Sequence, residues 1–436
     1  MSTIVEAVRR VSRARSVCWA AAASLAMASS AAPARADNRN PNLIPLGETE
    51  SFLGNAGVGR ANDTGAVYYN PAGLVELGEG RISISGSVYL SVSTHYDSFV
   101  RFDNTDIPFD NSGFFTIPSA YVATRRMAGW TGALSVLVPA SFQQNNRLPF
   151  STPSTKDNLI QSTSQSELWI GLSAAHKLGD KFAVGLTAFG ILHQETATFG
   201  LDFQNPTSMA FASDVGQTDS TVFGFVATLG IAYLPTDWLR FGARAQSAML
   251  QVYGKESAYQ ETHTVAATGT PQSTGDDESG SANYAMPFDF TLGAAVTPAP
   301  WFAVLADVSL QMGTSYSTFP SSAAFNEEVT LRPTPRFNLG LEMRPAQAFP
   351  VRLGMYFNPS AEGRNPGDTD YSKQDYYGLT AGVGLDTLLK EFKVRTTVGL
   401  FYAWSTGQAT PIGVSGTTAA ISSTAIGVLL TTGYAF

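Results

Sequence analysis

Few residues of this chain could make or break bonds, and they are scattered. The four histidines, His95, His176, His193 and His263, lie far apart, and none has a partner at metal-ligand spacing. No G-x-S-x-G nucleophile turn occurs. The glycine-rich run from Gly54 to Gly59 has neither the lysine nor the preceding strand of a phosphate-binding loop. His176 falls on an apolar face beside Gly179-Asp180, a place for an interfacial imidazole rather than a catalytic one. The expectation is therefore no catalytic residue, no metal and no cofactor.

A second set of residues could do electrostatic work. Around residue 240, Leu239, Phe241, Ala243 and Ala245 alternate with Arg240 and Arg244. Around residue 340, Phe337, Leu339, Leu341 and Met343 alternate with Arg336, Glu342 and Arg344. Arg352, Lys393 and Arg395 occupy equivalent polar positions farther on. A charge on a lipid face at mid-bilayer costs roughly 2–4 kcal/mol for Arg or Lys, so these cations are expected on an inner, wetted face. They read either as a basic ring that draws in a carboxylate or as a hydrated ladder with Asp289, Asp307, Glu342 and Asp386 as counter-charges.

Such a face needs strands to present it, and period-2 alternation is what the sequence supplies. From Ile82 the even positions run Ile, Ile, Gly, Val, Leu, Val, while the odd ones are serines and one tyrosine. The pattern recurs near 81–96, 115–126, 129–142, 164–178, 181–198, 218–234, 238–254, 282–298, 301–316, 331–345, 350–358, 374–386, 391–406 and 421–436. Fourteen is the even number that a closed up-and-down barrel with both ends on one side requires. Connections alternate: short turns near 127–128, 179–180, 235–237, 298–300, 345–349 and 387–390, and long polar stretches such as 97–114, 143–163, 255–281 and 359–373. Trp130, Trp238, Trp301, Tyr233 and Trp404 stand near strand ends, where interfacial girdles belong. No segment after residue 36 holds 18 consecutive apolar residues, so no spanning helix is expected. The fold class predicted is all-β, a transmembrane up-and-down antiparallel barrel of about fourteen strands over 81–436.

Composition agrees. Only 14% of the 436 residues are charged, against roughly 25% in soluble domains. Residues 1–36 read as a signal peptide: Arg9, Arg10, Arg13 and Arg15, an apolar stretch from Val17 to Met27, then Ala34-Arg35-Ala36 as cleavage site. The sole cysteine, Cys18, falls inside it. Five arginines and one glutamate leave with that peptide, so the net charge of −8 becomes −12. An acidic chain without a basic stripe argues against nucleic acid. These features point to an exported protein of the bacterial outer membrane, in contact with its lipid and expected as a monomer.

Residues 37–80 carry no barrel-strand pattern and are rich in Gly, Asn and Pro. The lumen of a fourteen-strand barrel is wide enough to take them. Within them, Gly57-Val58-Gly59-Arg60-Ala61 is followed by an Asp63 segment and by Asn70-Pro71-Ala72-Gly73. In order and spacing this resembles the N-terminal hatch of the long-chain fatty acid transporter family of outer-membrane barrels, which includes aromatic-hydrocarbon channels. The resemblance implies a hatch gated by Gly57, Gly59, Asn70, Pro71, Ala72 and Gly73, and a small hydrophobic cargo. The terminal Phe436, with aromatic or aliphatic residues at alternate positions before it, resembles the signal read by barrel-assembly machinery.

Strand three carries Gly132 and Pro139, and a proline removes a ladder hydrogen bond. In the resembled family a kink in strand three opens the wall sideways, which makes Gly132 and Pro139 the candidates here. Phe109, Phe114, Phe115, Phe142 and Phe150 are expected to catch the cargo outside. The function expected is passive uptake of long-chain fatty acids or similar compounds. The rivals are a hydrophilic porin, which the plug argues against, and a loop-displaying surface protein.

Overall fold

The computed structural model describes Asn40 and residues 45–436, apart from 103–104, 152–154, 267–268, 369–370, 390–391, 413 and 415, and apart from the side chains at 87–89, 102, 114–119, 142 and 389. The proposed signal peptide, and with it Cys18, lies outside the described residues. So do the side chains of Phe114, Phe115 and Phe142.

Fourteen wall strands run antiparallel, each beside its sequence neighbours. They are β1 (Gly80–Phe102), β2 (Thr105–Met127), β3 (Trp130–Leu137 and Ser141–Ser151), β4 (Lys156–Leu178) and β5 (Phe182–Gln204). Next come β6 (Phe211–Thr236), β7 (Leu239–Gln246 and Leu250–Val265) and β8 (Gln272–Gly280 and Asp289–Ala299). Then β9 (Phe302–Gln311 and Thr314–Ser317), β10 (Glu328–Leu331 and Thr334–Ala346) and β11 (Phe349–Asn358) follow. The last are β12 (Ser372–Leu389), β13 (Phe392–Ala409) and β14 (Ala419–Ala435). β1 also pairs with β14, from Arg81 against Ala435 to Tyr96 against Ile421, so the cylinder is closed. Closure leaves no sheet edge for hydrocarbon to desolvate.

Parity sets the two faces. Ile82 and Ile84 are 49% and 48% exposed, while Ser83 and Ser85 between them are 4% and 5% exposed. Leu172, Leu229, Leu292, Val308, Leu400 and Leu430 continue the outer apolar face. An apolar surface of that extent is stable against lipid and not against water. Trp130, Trp238 and Trp301 are exposed at the turn end, and Trp404 stacks with Tyr377 and Tyr402 nearer the loop end. Ala128 and Gly129 both adopt positive φ, the geometry of a two-residue hairpin turn from β2 to β3.

The loop end differs from expectation. Most of 97–114, 143–163 and 255–281 is paired strand, and only 359–373 stays largely outside the sheet. The outer face of these extensions meets water rather than lipid, so polar residues stand at both parities in sequence, while the inner face still buries Phe99, Phe150 and Leu159 and the backbone ladder continues.

Residues 45–79 form no strand. They contain a short helix α1 (Ala66–Tyr69) between two 3-10 turns, Glu50–Phe52 and Pro71–Glu76. The segment touches the inner faces of strands on every side. Arg81 of β1 pairs with Glu48, and Arg126 of β2 donates to the Val75 carbonyl at 2.6 Å. Thr187 of β5 donates to Val67 O at 3.0 Å, and Thr380 of β12 accepts from Gly54 N at 2.9 Å. Thr431 of β14 donates to Glu48 O at 3.0 Å. A segment bonded to the whole circumference lies inside it.

Candidate functional site: the lumen segment, its wall and the break in β3

The wall is flattened where this segment lies. Gly185 of β5 faces Gly230 of β6, Gly242 of β7 faces Gly293 of β8, Gly340 of β10 faces Gly354 of β11, and Gly382 of β12 faces Gly399 of β13. A Cβ at any of these would run into the lumen segment, at Pro71, Asn70, Val58, Gly59, Leu53, Gly54 or Phe52. At Gly185, Gly242, Gly293 and Gly354 main chain meets main chain, which only glycine permits, and at Gly382 and Gly399 the Phe52 ring fills the space.

Gly57 and Val58 donate their N–H groups to one carboxylate oxygen of Asp307 on β9, at 2.7 and 2.9 Å. Asp307, expected among the counter-charges of the arginines, instead seats backbone. Gly59 packs on the Ala294 main chain, and Gly73 leaves no room for a Cβ beside Ala61 O. Asn70 is fully used. Its Oδ1 accepts from Ala72 N, and its Nδ2 donates to Val58 O at 2.8 Å and to Ile231 O of β6 at 3.0 Å. Pro71 opens the following 3-10 turn, where its missing N–H costs nothing. Burial, and then the charge of Asp63, push the Glu48 and Glu50 carboxyls above the usual range. Asn70→Ala removes one bond to the wall, at Ile231 O, and one within the segment, at Val58 O, and is expected to loosen the segment by about 1–3 kcal/mol, since each orphaned carbonyl carries a desolvation cost. Hydrogen exchange at residues 57–75 measures this; protection equal to the parent protein would refute it.

The wall is broken at residues 138–140. Leu137 lies opposite Trp169 and Ser141 opposite Ser166, so four steps on β3 match three on β4, a bulge. On the other side, pairing with β2 ends at Ala120 against Leu137. Among the described residues, the outer piece of β3 pairs with β4 alone. Pro139 sits in this break. Gly132 does not, being paired in register with both Arg125 and Ala174. Eight residues of β3 at a rise of about 3.4 Å and a tilt of about 40° put the break roughly 20 Å above the turn end, within a hydrocarbon band about 25 Å tall.

No protein-family model matches the chain, and no curated protein sequence does. Solved structures do match. A Pseudomonas aeruginosa FadL homologue aligns over 90% of this chain and 100% of its own, with 13% identity and TM-score 0.61. The Pseudomonas putida toluene transporter TodX aligns over 90% and 99%, with 13% identity and TM-score 0.63. The Ralstonia pickettii toluene transporter TbuX aligns over 91% and 99%, with 18% identity and TM-score 0.57. The fold is that of the FadL-type barrel. At such identities the likeness extends to architecture and no farther.

Inside this FadL-type barrel a cavity opens beside the break. Tyr68 of α1, Trp169 of β4, Pro139, Arg244, Asp289 and Arg336 are among its lining residues. Tyr68 and Trp169 lie 5.8 Å apart between ring centroids, and the Arg244 guanidinium stands 5.2 Å over the Tyr68 ring. An apolar cluster extends from the lumen segment through Val122, Leu137, Phe189 and Ile191. A second, nearer the loop end, holds Phe99, Phe150, Leu159 and Phe199 with Phe109 against them, so two of the five expected cargo-catching phenylalanines fall there.

The six expected lumen cations all face inward and all meet carboxylates. Arg240 lies 3.5 Å from Glu76 of the lumen segment. Arg244 and Arg336 share Asp289. Arg352 donates to Glu342 at 2.8 Å, and Arg344 and Arg395 both reach Asp386. Arg60, which sequence reasoning passed over, also reaches Glu342. His176 donates to Gly129 O and stacks on Trp130 at the lipid face. His193 was missed: it is 2% exposed, on the inward parity it shares with Phe189 and Ile191.

Proposed function

We propose that this protein is an outer-membrane channel for passive uptake of small hydrophobic compounds, long-chain fatty acids among them. The observation that carries the reading is the break at 138–140, where Pro139 and Ala140 line the cavity on Tyr68 and Trp169 and pairing with β2 has ended. Solved structures of the same fold support it: among them are toluene transporters and a monoaromatic hydrocarbon channel. Cargo is caught in the apolar cluster around Phe99, Phe109 and Phe150, where burial contributes roughly 0.8 kcal/mol per CH₂. The lumen segment acts as a hatch, with Asn70-Pro71-Ala72 as its latch on β6. The cargo then leaves sideways, where the ladder between β2 and β3 is missing. Export of the chain uses residues 1–36, and Phe436 presents the assembly signal.

Deleting Pro139 tests the exit. It restores three steps for three against β4 and lets β3 continue its pairing with β2. Cells that depend on this channel are expected to lose most of their uptake of a hydrophobic probe, with the barrel still heat-modifiable on gels. Undiminished uptake by a folded deletion variant would sink the lateral exit.

A further inference from the structure

β7 and β8 break side by side. β7 is interrupted at 247–249 and β8 at 281–288, and Met249 N donates to Met286 O across the two gaps at 2.9 Å. The β8 gap is a built structure. Asn283 N donates to Thr318 O at 2.8 Å, Tyr284 N to Gln251 Oε1 at 3.0 Å, and Gln251 Nε2 to Ala282 O at 2.7 Å. Released backbone groups are thus taken up by neighbours.

The gap sends Tyr284 into the lumen. Its hydroxyl donates to Glu167 of β4 at 2.6 Å, and its ring lies 3.7 Å from that of His193 on β5, with 8° between planes. β6 and β7 stand between β8 and β5 in the wall, so this contact is a chord across the lumen. Trp169 Nε1 donates to the other Glu167 oxygen at 3.0 Å, which holds the acceptor still.

Tyr284 also divides the space. On its turn side lies the cavity over Tyr68 and Trp169, of about 50 Å³. On its loop side lies a cavity of about 20 Å³ against Gln165, His193, Glu195 and Thr318. Tyr284 and Tyr316 line both. At roughly 10–15 Å³ for a water, each holds only a few waters, too little for a six-carbon ring.

We infer that Tyr284, stacked on His193 and anchored to Glu167, is the specificity-determining constriction of the transport path, passing unbranched chains and single rings and turning back fused polycyclic molecules. This rests on the uptake reading above. A cargo joins the two cavities only by swinging the phenol off His193, and the cross-section it must clear is set by the residue at 284. The parallel slot against the imidazole suits one flat ring.

The test is uptake of toluene and of pyrene by cells that lack other such channels, with Tyr284→Ala, Tyr284→Trp and Tyr284→Phe compared with the parent protein. The alanine variant is expected to raise the pyrene-to-toluene uptake ratio by about tenfold, the scale on which pocket volume discriminates between cargoes. The tryptophan variant should lower it. The phenylalanine variant, which keeps the ring and loses the Glu167 bond, should raise uptake of both and leave the ratio near that of the parent. Heat-modifiable migration on gels establishes folding, and Tyr284→Trp keeps the test open should the alanine variant fail it. Parent protein that carries toluene while all three variants share its ratio would overturn the constriction and leave the uptake reading standing. Parent protein that carries neither probe faster than channel-free cells would sink both.

Discussion

Gly242→Val is expected to strip the lumen segment from its seat. A Cβ at 242 would collide with the Val58 carbonyl. That carbonyl cannot yield alone, because Val58 O accepts from Asn70 and Val58 N donates to Asp307. Overpacking costs about 1–3 kcal/mol, and each buried bond broken in relieving it adds about 1–3 kcal/mol. Together these exceed what a segment of some thirty ordered residues can spare. Two readouts follow: protease cleavage within 45–77 while the barrel stays intact, and a larger single-channel current. Gly132→Ala is the control, since its Cβ would have 3.8 Å to the nearest neighbour. Equal protease resistance in the two variants would mean that the glycine belt does not hold the segment.

Glu342→Leu is expected to destabilise the barrel by about 3–5 kcal/mol, the usual cost of leaving a buried charge without its partner. Glu342 receives Arg352 at 2.8 Å, Arg60 at 3.2 Å and Arg344 at 3.4 Å. Arg352 is wholly buried and, among the described residues, would retain only the Thr397 hydroxyl, at 3.0 Å. Arg60 belongs to the lumen segment, so the substitution also cuts one of its ties. Urea unfolding in lipid vesicles measures the loss. Adding Arg352→Leu should recover part of it, because the penalty lies mostly in the stranded cation. A single variant within about 1 kcal/mol of the parent would contradict the account, since surface pairs are worth no more than that.

Strand parity was legible wherever one face meets lipid, as Ile82 to Ser85 illustrate. It was lost above the membrane, where 156–163 and 211–218 carry polar residues at both parities and still form ladder. The lumen arginines could be read because a guanidinium cannot face hydrocarbon. Their counter-charges could be named as a set, and Asp289, Glu342 and Asp386 do meet arginines, but which arginine meets which could not be read, because pairing across strands depends on stagger. Pro139 announced a break through chemistry; Gly132 announced nothing, because a glycine inside a ladder looks the same in sequence as one at a kink. The glycine belt left a trace that went unused, namely glycine at inward parity on strand after strand. Tyr284 and His193 left none. Their meeting depends on two neighbouring strands breaking at one height, which no local pattern records.

Glu48 ties the two ends of the cylinder together. It is clasped by β1 through Arg81 and by β14 through Thr431, a residue 383 positions later. First and last strands therefore meet over a residue of the lumen segment. Closing so long a loop is among the last steps of folding, because its entropy must be met before any contact rewards it. Seating the segment and shutting the cylinder thus become a single terminal event during insertion. A chain whose Glu48 is out of place arrives at that moment with two unsatisfied edges, open to pairing with a neighbour.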